Sequence, residues 1–336
     1  FGRLALCAWA RHGPAAGLGR AMSALPEEQS SLLVLLGLLV CALAALVLLL
    51  PGLRRGAYRA MEAIFGGGSA GEDEDSRDFE KEVLDSLQLT AKDVADCLAV
   101  HQRLPDGRAH PDWLAARRNR VTASRFAAAC GVKGARSTPK DVVEAMMTMP
   151  EGEAKNAGRF GIVWEKVARQ AYIQEQRKAG REAEPKYEFE VREVGVCVWE
   201  QEPWLAGSPD GICCENGVPC GLLEVKTAPS WTKTNEERLW KRMPCDWVYQ
   251  VQGGMRLASA ALGTQLCWCD VFLWTPERSA CRRVAFDPEL WEGSMLPQLR
   301  CFYFERFLPK AADVVRARRN RSQGAARRRV QRKKKR

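Results

Sequence analysis

The sequence predicts an α/β domain, a mixed β-sheet flanked by helices, and three observations carry that expectation. Segments such as "DFEKEVLDSLQL" and "CDWVYQVQGGMRLASAAL" have apolar residues at helical spacing, "YEFEVREVGVCVW" and "CGLLEVKTA" alternate at period two, and the two kinds interleave along the chain. With 336 residues, 46% hydrophobic and 27% charged, the chain can bury one substantial core or two modest ones.

Residues 1–31 read as a leader. The chain begins at Phe1, and Arg3, Arg11 and Arg20 precede Met22 without an acid, as in a transit segment or in translation from upstream of an initiator. Residues 32–50, "LLVLLGLLVCALAALVLLL", carry no charge and as a helix would span about 28 Å, so a transmembrane helix is expected. Glu27 and Glu28 precede it and Arg54, Arg55 and Arg59 follow, which puts the C-terminal bulk on the cytosolic, matrix or stromal side of a membrane; without this N-terminal segment, a nuclear location is the expectation. Residues 51–77, with "GGGSAGEDEDS", read as a juxtamembrane stretch and flexible acidic linker.

The globular domain is expected over 78–310. After "DFEKEVLDSLQL", "TAKDVADCLAVHQRL" gives a helix capped by Thr90, "VTASRFAAACG" a short helix stopped by Gly131, and "GRFGIVWEKVARQAYIQEQRKAG" a longer one stopped by Gly180. Strands follow, with a turn at "CENGVP", then the helix of "CDWVYQVQGGMRLASAAL". "QLCWCDVFLWT" and "CRRVAFD" form a strand pair, and "ELWEGSMLPQLRCFYFERFL" a closing helix broken near Pro297. Residues 311–336 are expected to be a disordered basic tail, because Arg316 to Arg336 hold 12 of the 51 Lys and Arg and no acid. Without those 12 the balance is 39 basic against 41 acidic, so the net charge of +10 is local. The 13 cysteines include no C-x-x-C pair and sit in apolar company, which favours reduced core thiols over disulfides or a thiolate metal site.

One stretch calls for a chemical explanation. "SPDGICCENGVPCGLLEVKTA" places Glu224 and Lys226 on one face of a strand, and a hairpin through Asn216-Gly217 returns Asp210 beside them. Two carboxylates and an ammonium at the edge of a buried face destabilise a fold unless something compensates them. A divalent cation does so, and an all-oxygen donor set suits Mg²⁺, whose bound water is a nucleophile for phosphodiester hydrolysis. A plain Glu–Lys pair on a half-exposed strand is the alternative that these residues alone leave open.

The motifs in this region resemble the PD-(D/E)XK nuclease superfamily, in particular the YqaJ-like viral recombinase branch that includes lambda exonuclease. "GSPDG" followed by "GLLEVKTA" is similar to the family's Asp and Glu-x-Lys motif, "WLAARRNRVTAS" to its opening motif, "GRFGIVWEKVARQAY" to its metal-binding helix and "WVYQVQGGM" to its Q-x-Q helix. Four motifs in order make the resemblance specific over Trp113 to Phe307. It implies a restriction-endonuclease-like core and a catalytic set of Asp210, Glu224, Lys226, Gln250 and Gln252. It also implies metal ligation by Glu165, Asp210 and Glu224, and contacts from Arg117 and Ser124 to a DNA phosphate. Gln250 and Gln252 point roughly 200° apart on a helix, so they cannot face the metal equally.

The resulting expectation is a DNA exonuclease that uses Mg²⁺, with Mn²⁺ as a substitute and two ions per site, acting on duplex DNA with ends and, by the same resemblance, assembling as a homo-oligomer. A structure-specific endonuclease and a non-catalytic membrane-tethered protein that binds nucleic acid through its tail are the competing readings.

Overall fold

The computed structural model describes residues 72–148 and 159–334. The leader, the expected transmembrane segment 32–50 and all of the expected linker before Glu72 lie outside the described residues. Among the described residues no helix is long and apolar enough to cross a membrane.

Helix α1 (Glu72–Asp85) starts inside the acidic stretch expected to be linker. An acidic N-terminal sequence is favoured by the positive dipole end of a helix, and Phe79 and Val83 are buried on α1 with Leu87 buried just past its end, so local and tertiary terms both favour the helix there. Helix α2 (Ala91–Ala99) has the expected cap, a reciprocal box in which Thr90 accepts from the Asp93 amide and Asp93 from the Thr90 amide. Helix α3 (Pro111–Arg117) leads to strand β1 (Val121–Thr122), a 3-10 turn over Ala123–Arg125 and the one-turn helix α4 (Phe126–Ala129). Only the last part of "VTASRFAAACG" is therefore α-helical, and Gly131 ends it with φ +68° as expected.

Helix α5 (Pro139–Met147), capped by Thr138 and Asp141, was not read from the sequence. Helix α6 (Arg159–Glu182) runs past Gly180 instead of stopping there. The glycine serves packing: a Cβ at residue 180 would lie 2.5 Å from the Tyr187 carbonyl oxygen.

Strands β2 (Phe189–Arg192), β3 (Cys197–Trp199), β4 (Glu202–Gly207), β5 (Gly211–Glu215) and β6 (Val218–Thr227) come next. Helices α7 (Lys233–Trp240) and α8 (Cys245–Leu262) cross to β7 (Trp268–Trp274), and β8 (Ser279–Ala285) returns antiparallel to it. The main sheet has the order β2-β5-β6-β7-β8, mixed as expected because β6 and β7 are parallel and the other pairs antiparallel. A three-stranded sheet, β1-β4-β3, stands beside it. The β5–β6 hairpin turns at Asn216 and Gly217, with φ of 49° and 78°, the left-handed pair that a two-residue hairpin requires.

Alternation along β6 divides the core. Leu223 and Val225 pack with Phe272 and Trp274 against Ala168 and Tyr172 of α6. Leu222 joins Val271 and Leu273 against Val251 and Met255 of α8. Glu224 and Lys226 share the α8 face with Leu222, so the period of the strand sends both charged groups toward one helix.

The chain closes with α9 (Pro288–Leu290), a π-turn over Trp291–Met295, α10 (Leu296–Phe302), a second π-turn over Tyr303–Phe307 and α11 (Leu308–Lys334). Pro297 does not break the path, because it falls in the first turn of α10, where a missing amide hydrogen removes little. The expected disordered tail is also corrected, since the helix continues through Arg316 to Lys334. Ala311 and Ala312 are buried at its base, Arg316 pairs with Asp313, and Arg319 reaches Glu82 at 2.6 Å while lying over the Phe79 ring. Alanine, arginine and glutamine propagate a helix well once such a base nucleates it.

Candidate active site

Asp210 stands immediately before β5, where the β4–β5 connection meets the end of the main sheet. Its Oδ2 accepts from the Val225 amide at 2.6 Å, which ties the aspartate to β6 across the hairpin. The loop is held from behind by Gln102, which donates to the carbonyls of Val194 and Pro209, and by Arg169, which donates to the Asp210 carbonyl at 2.9 Å and pairs with Glu193 at 2.7 Å.

On β6, Glu224 is buried and Lys226 half-buried. Lys226 Nζ donates to Glu224 Oε1 at 2.7 Å and to Gln250 Oε1 at 3.0 Å, and Gln250 Nε2 donates to the same Glu224 oxygen at 2.6 Å. The three groups close a ring of hydrogen bonds between β6 and α8, with Lys226 also 5.5 Å from the centre of the Trp247 ring. The orientation of Gln250 is fixed by this ring, its oxygen toward the ammonium and its amide toward the carboxylate.

The carboxylates are electrostatically strained. Withdrawal from water pushes the Asp210 carboxyl well above its ordinary range, and the charges of Glu224 and Glu165 push it further, against Lys226 and the Val225 amide. Glu165, one turn before Arg169 on α6, is raised by burial, relieved by Arg169 and Arg103 and raised again by Glu224 and Glu193. Glu165, Asp210 and Glu224 thus sense one another across the end of the sheet. Among the described residues, however, no three Asp, Glu, His or Cys side chains are close enough to form a ready-made cage for one ion. The donor set still fits a hard cation: its ligand atoms are oxygens, and the carboxylates raise one another's pKa values.

A recess of about 30 Å³, room for one small group, opens beside this cluster and is lined by Arg117, Thr122, Ser124, Ser208, Glu224 and Gln250, among others. Arg117 lies 4.1 Å over the Trp113 ring and donates to Ser208 Oγ at 3.0 Å. Burial, with the neighbouring Arg125 cation, lowers its pKa to about 9, which leaves it charged at neutral pH. Ser124 is exposed at the 3-10 turn, 3.5 Å from the Thr122 hydroxyl. A guanidinium and hydroxyls are the groups that hydrogen-bond a phosphate, and here they lie beside a carboxylate cluster.

Asp210, Glu224, Lys226 and Gln250 are therefore brought together, Glu165 sits within electrostatic reach, and Arg117 and Ser124 border the same recess. Gln252 is not part of the cluster. Its amide is consumed inside the protein, donating to the Ala285 carbonyl and accepting from the Asp287 amide, both at 2.8 Å. Residues 250 and 252 point to opposite sides of α8, and the second side faces the start of the closing helices.

The sequence reading did not single out Ser208, Arg169 or Trp247 for the site. Ser208 had a signal, since it lies two residues before Asp210 in "SPDG". Arg169 had a weaker one, one helical turn after Glu165. Cys197, Cys213, Cys214 and Cys269 are buried as expected of core thiols, whereas Cys267 and Cys301 are exposed. The eleven among the described residues are free thiols, and burial pushes Cys130 and Cys197 up to about 12, so those two stay protonated.

Residues 112–261 match the family model of the YqaJ-like viral recombinase domain. Among solved structures, the alkaline exonuclease LHK-Exo of Laribacter hongkongensis is 23% identical, with 63% of this chain and 99% of that chain covered and a TM-score of 0.46. Its complex with dAMP is 24% identical over the same shares, at a TM-score of 0.47. These superpositions are too loose to transfer a role from that enzyme. No curated protein matches the chain.

Proposed function

We propose that this chain, which carries a YqaJ-like viral recombinase domain over residues 112–261, is a Mg²⁺-dependent DNA exonuclease that hydrolyses phosphodiester bonds. The observation that carries the reading is the meeting of Asp210, Glu224, Lys226 and Gln250 at one end of the sheet, beside a recess lined by Arg117 and Ser124.

Glu165, Asp210 and Glu224 would hold the ions, Mg²⁺ or in its place Mn²⁺, two when substrate phosphate completes the ligand shells. When bound, a divalent ion lowers the pKa of a water and neutralises charge that builds on the phosphate. The chain's own residues do the rest. Lys226, held by Glu224 and Gln250, presents a positive charge that would stabilise the negative charge on a water oxygen as it loses its proton and attacks. Gln250 keeps that ammonium pointing into the site. Arg117 and Ser124 bind a phosphate of the strand, so that the scissile bond is presented at a fixed distance.

End-dependent action on duplex DNA and assembly as a homo-oligomer follow from the family resemblance. Membrane attachment rests on residues 32–50 alone and is tested separately by fractionation. For the activity, linear and covalently closed circular DNA are incubated with the full chain and Mg²⁺ or EDTA. Loss of linear DNA only, and only with Mg²⁺, supports the proposal. Cutting of the circle makes the enzyme an endonuclease, and no cutting in any arm refutes the enzyme reading.

A further inference from the structure

Helix α11 has a strongly basic sequence. Between Arg316 and Lys334 the sequence has 10 Lys and Arg and no acid. Its base is held to the domain by buried Ala311 and Ala312 and by the pair of Arg319 with Glu82, while Arg316 pairs with Asp313 of the same helix. Arg318 and Arg321 are exposed, and Arg321 donates only to a carbonyl of its own helix. Like charges three and four residues apart, such as 328 with 332 and 329 with 333, each destabilise a helix by about 0.2–0.5 kcal/mol. A helix of this composition needs a counter-charge along its length.

We infer that α11 is a docking rod for the phosphate backbone of duplex DNA, separate from the recess at Arg117 and Ser124. The match is one of linear charge. At a rise of about 1.5 Å per residue, these cations recur about every 3 Å along the axis, against one phosphate per about 1.7 Å of duplex. A membrane surface fits less well. An interfacial helix needs a broad apolar face, and from residue 316 to 334 the apolar side chains are Val330 and three alanines. The choice of DNA over another polyanion rests on the nuclease reading. Docking on a rod outside the site would let the enzyme hold its substrate between cleavage events.

The test is equilibrium binding of a fluorescent blunt duplex to the full chain in EDTA, so that affinity is read without cleavage. It compares the parent with a variant in which Arg327, Arg328, Arg329, Arg332, Lys333 and Lys334 are all changed to Gln, which preserves helix propensity. The slope of log affinity against log salt is expected to fall by about 5 if all six cations meet phosphates. A slope unchanged within one would overturn the inference. So would tight binding of the parent to phosphatidylserine vesicles with no measurable binding to the duplex. Cleavage by the variant at low salt with Mg²⁺ is a separate readout: its survival leaves the nuclease reading standing whatever the slopes show, and absence of cleavage in the parent removes that reading alone.

Discussion

Changing Lys226 to Met removes the one ammonium that, among the described residues, bonds Glu224, while preserving most of the side-chain volume. The two side chains are 17% and 10% exposed and 2.7 Å apart, so the pair is close to the buried limit. Breaking such a pair costs about 3–5 kcal/mol, because a carboxylate remains without its partner, and for a domain of this size that is a Tm loss on the order of 10 °C. The loss must depend on pH. Asp210 has its folded pKa raised above the ordinary value, so between the two values the folded state holds more protons than the unfolded, and stability falls as pH rises through that window. Lys226 opposes the rise, and without it the window extends upward. Thermal unfolding in EDTA should therefore show a larger deficit for Lys226→Met at pH 8 than at pH 5, and adding Glu224→Gln should recover much of it. An equal deficit at both pH values, or no recovery in the double variant, would refute the electrostatic reasoning.

Other consequences follow from the same contacts. Asp210→Asn, measured for cleavage of linear DNA with Mg²⁺, should lose activity by at least 100-fold, about 3 kcal/mol of transition-state stabilisation, while gaining thermal stability at pH 8 because the strained charge is gone. Gln250→Ala should lower kcat with little change in Tm, whereas Gln252→Ala, which strands the Ala285 carbonyl and the Asp287 amide, should cost about 1–3 kcal/mol of stability and spare kcat in the protein that remains folded. Gly253→Ala should destabilise by about 1–3 kcal/mol in denaturant titration, since its Cβ would lie 2.3 Å from the Phe126 ring.

The charged strand was legible because its signal is local. Alternation in β6 fixes Glu224 and Lys226 on one face, and Asn216-Gly217 fixes the hairpin that returns Asp210. The angular separation of Gln250 and Gln252 on α8 implied that the two could not face one group equally, and Gln250 is the one that bonds Lys226 and Glu224. What stayed hidden depends on distant partners. Strand β4 is buried without alternation from Trp204 to Gly207 and pairs with two-residue β1 across more than eighty residues, so no periodicity announces it. Gly180 resembles a helix stop until Tyr187 packs on it. The tail resembles a disordered run because composition records charge and ignores the nucleus that Ala311 and Ala312 bury. Arg169 resembles a surface cation of α6, yet it is 9% exposed and holds the Asp210 carbonyl, a contact set by the tertiary fold.

The proposed function requires Asp210, Glu224 and Glu165 to bind a hard divalent cation beside Lys226. Titration of Mn²⁺ into the full chain, with free Mn²⁺ followed by electron paramagnetic resonance, addresses it without requiring turnover. Bound Mn²⁺ in the parent, lost in Asp210→Asn and in Glu224→Gln at unchanged far-UV circular dichroism, is the predicted result. A parent that leaves all the Mn²⁺ free, or variants that bind it as the parent does, would contradict the claim.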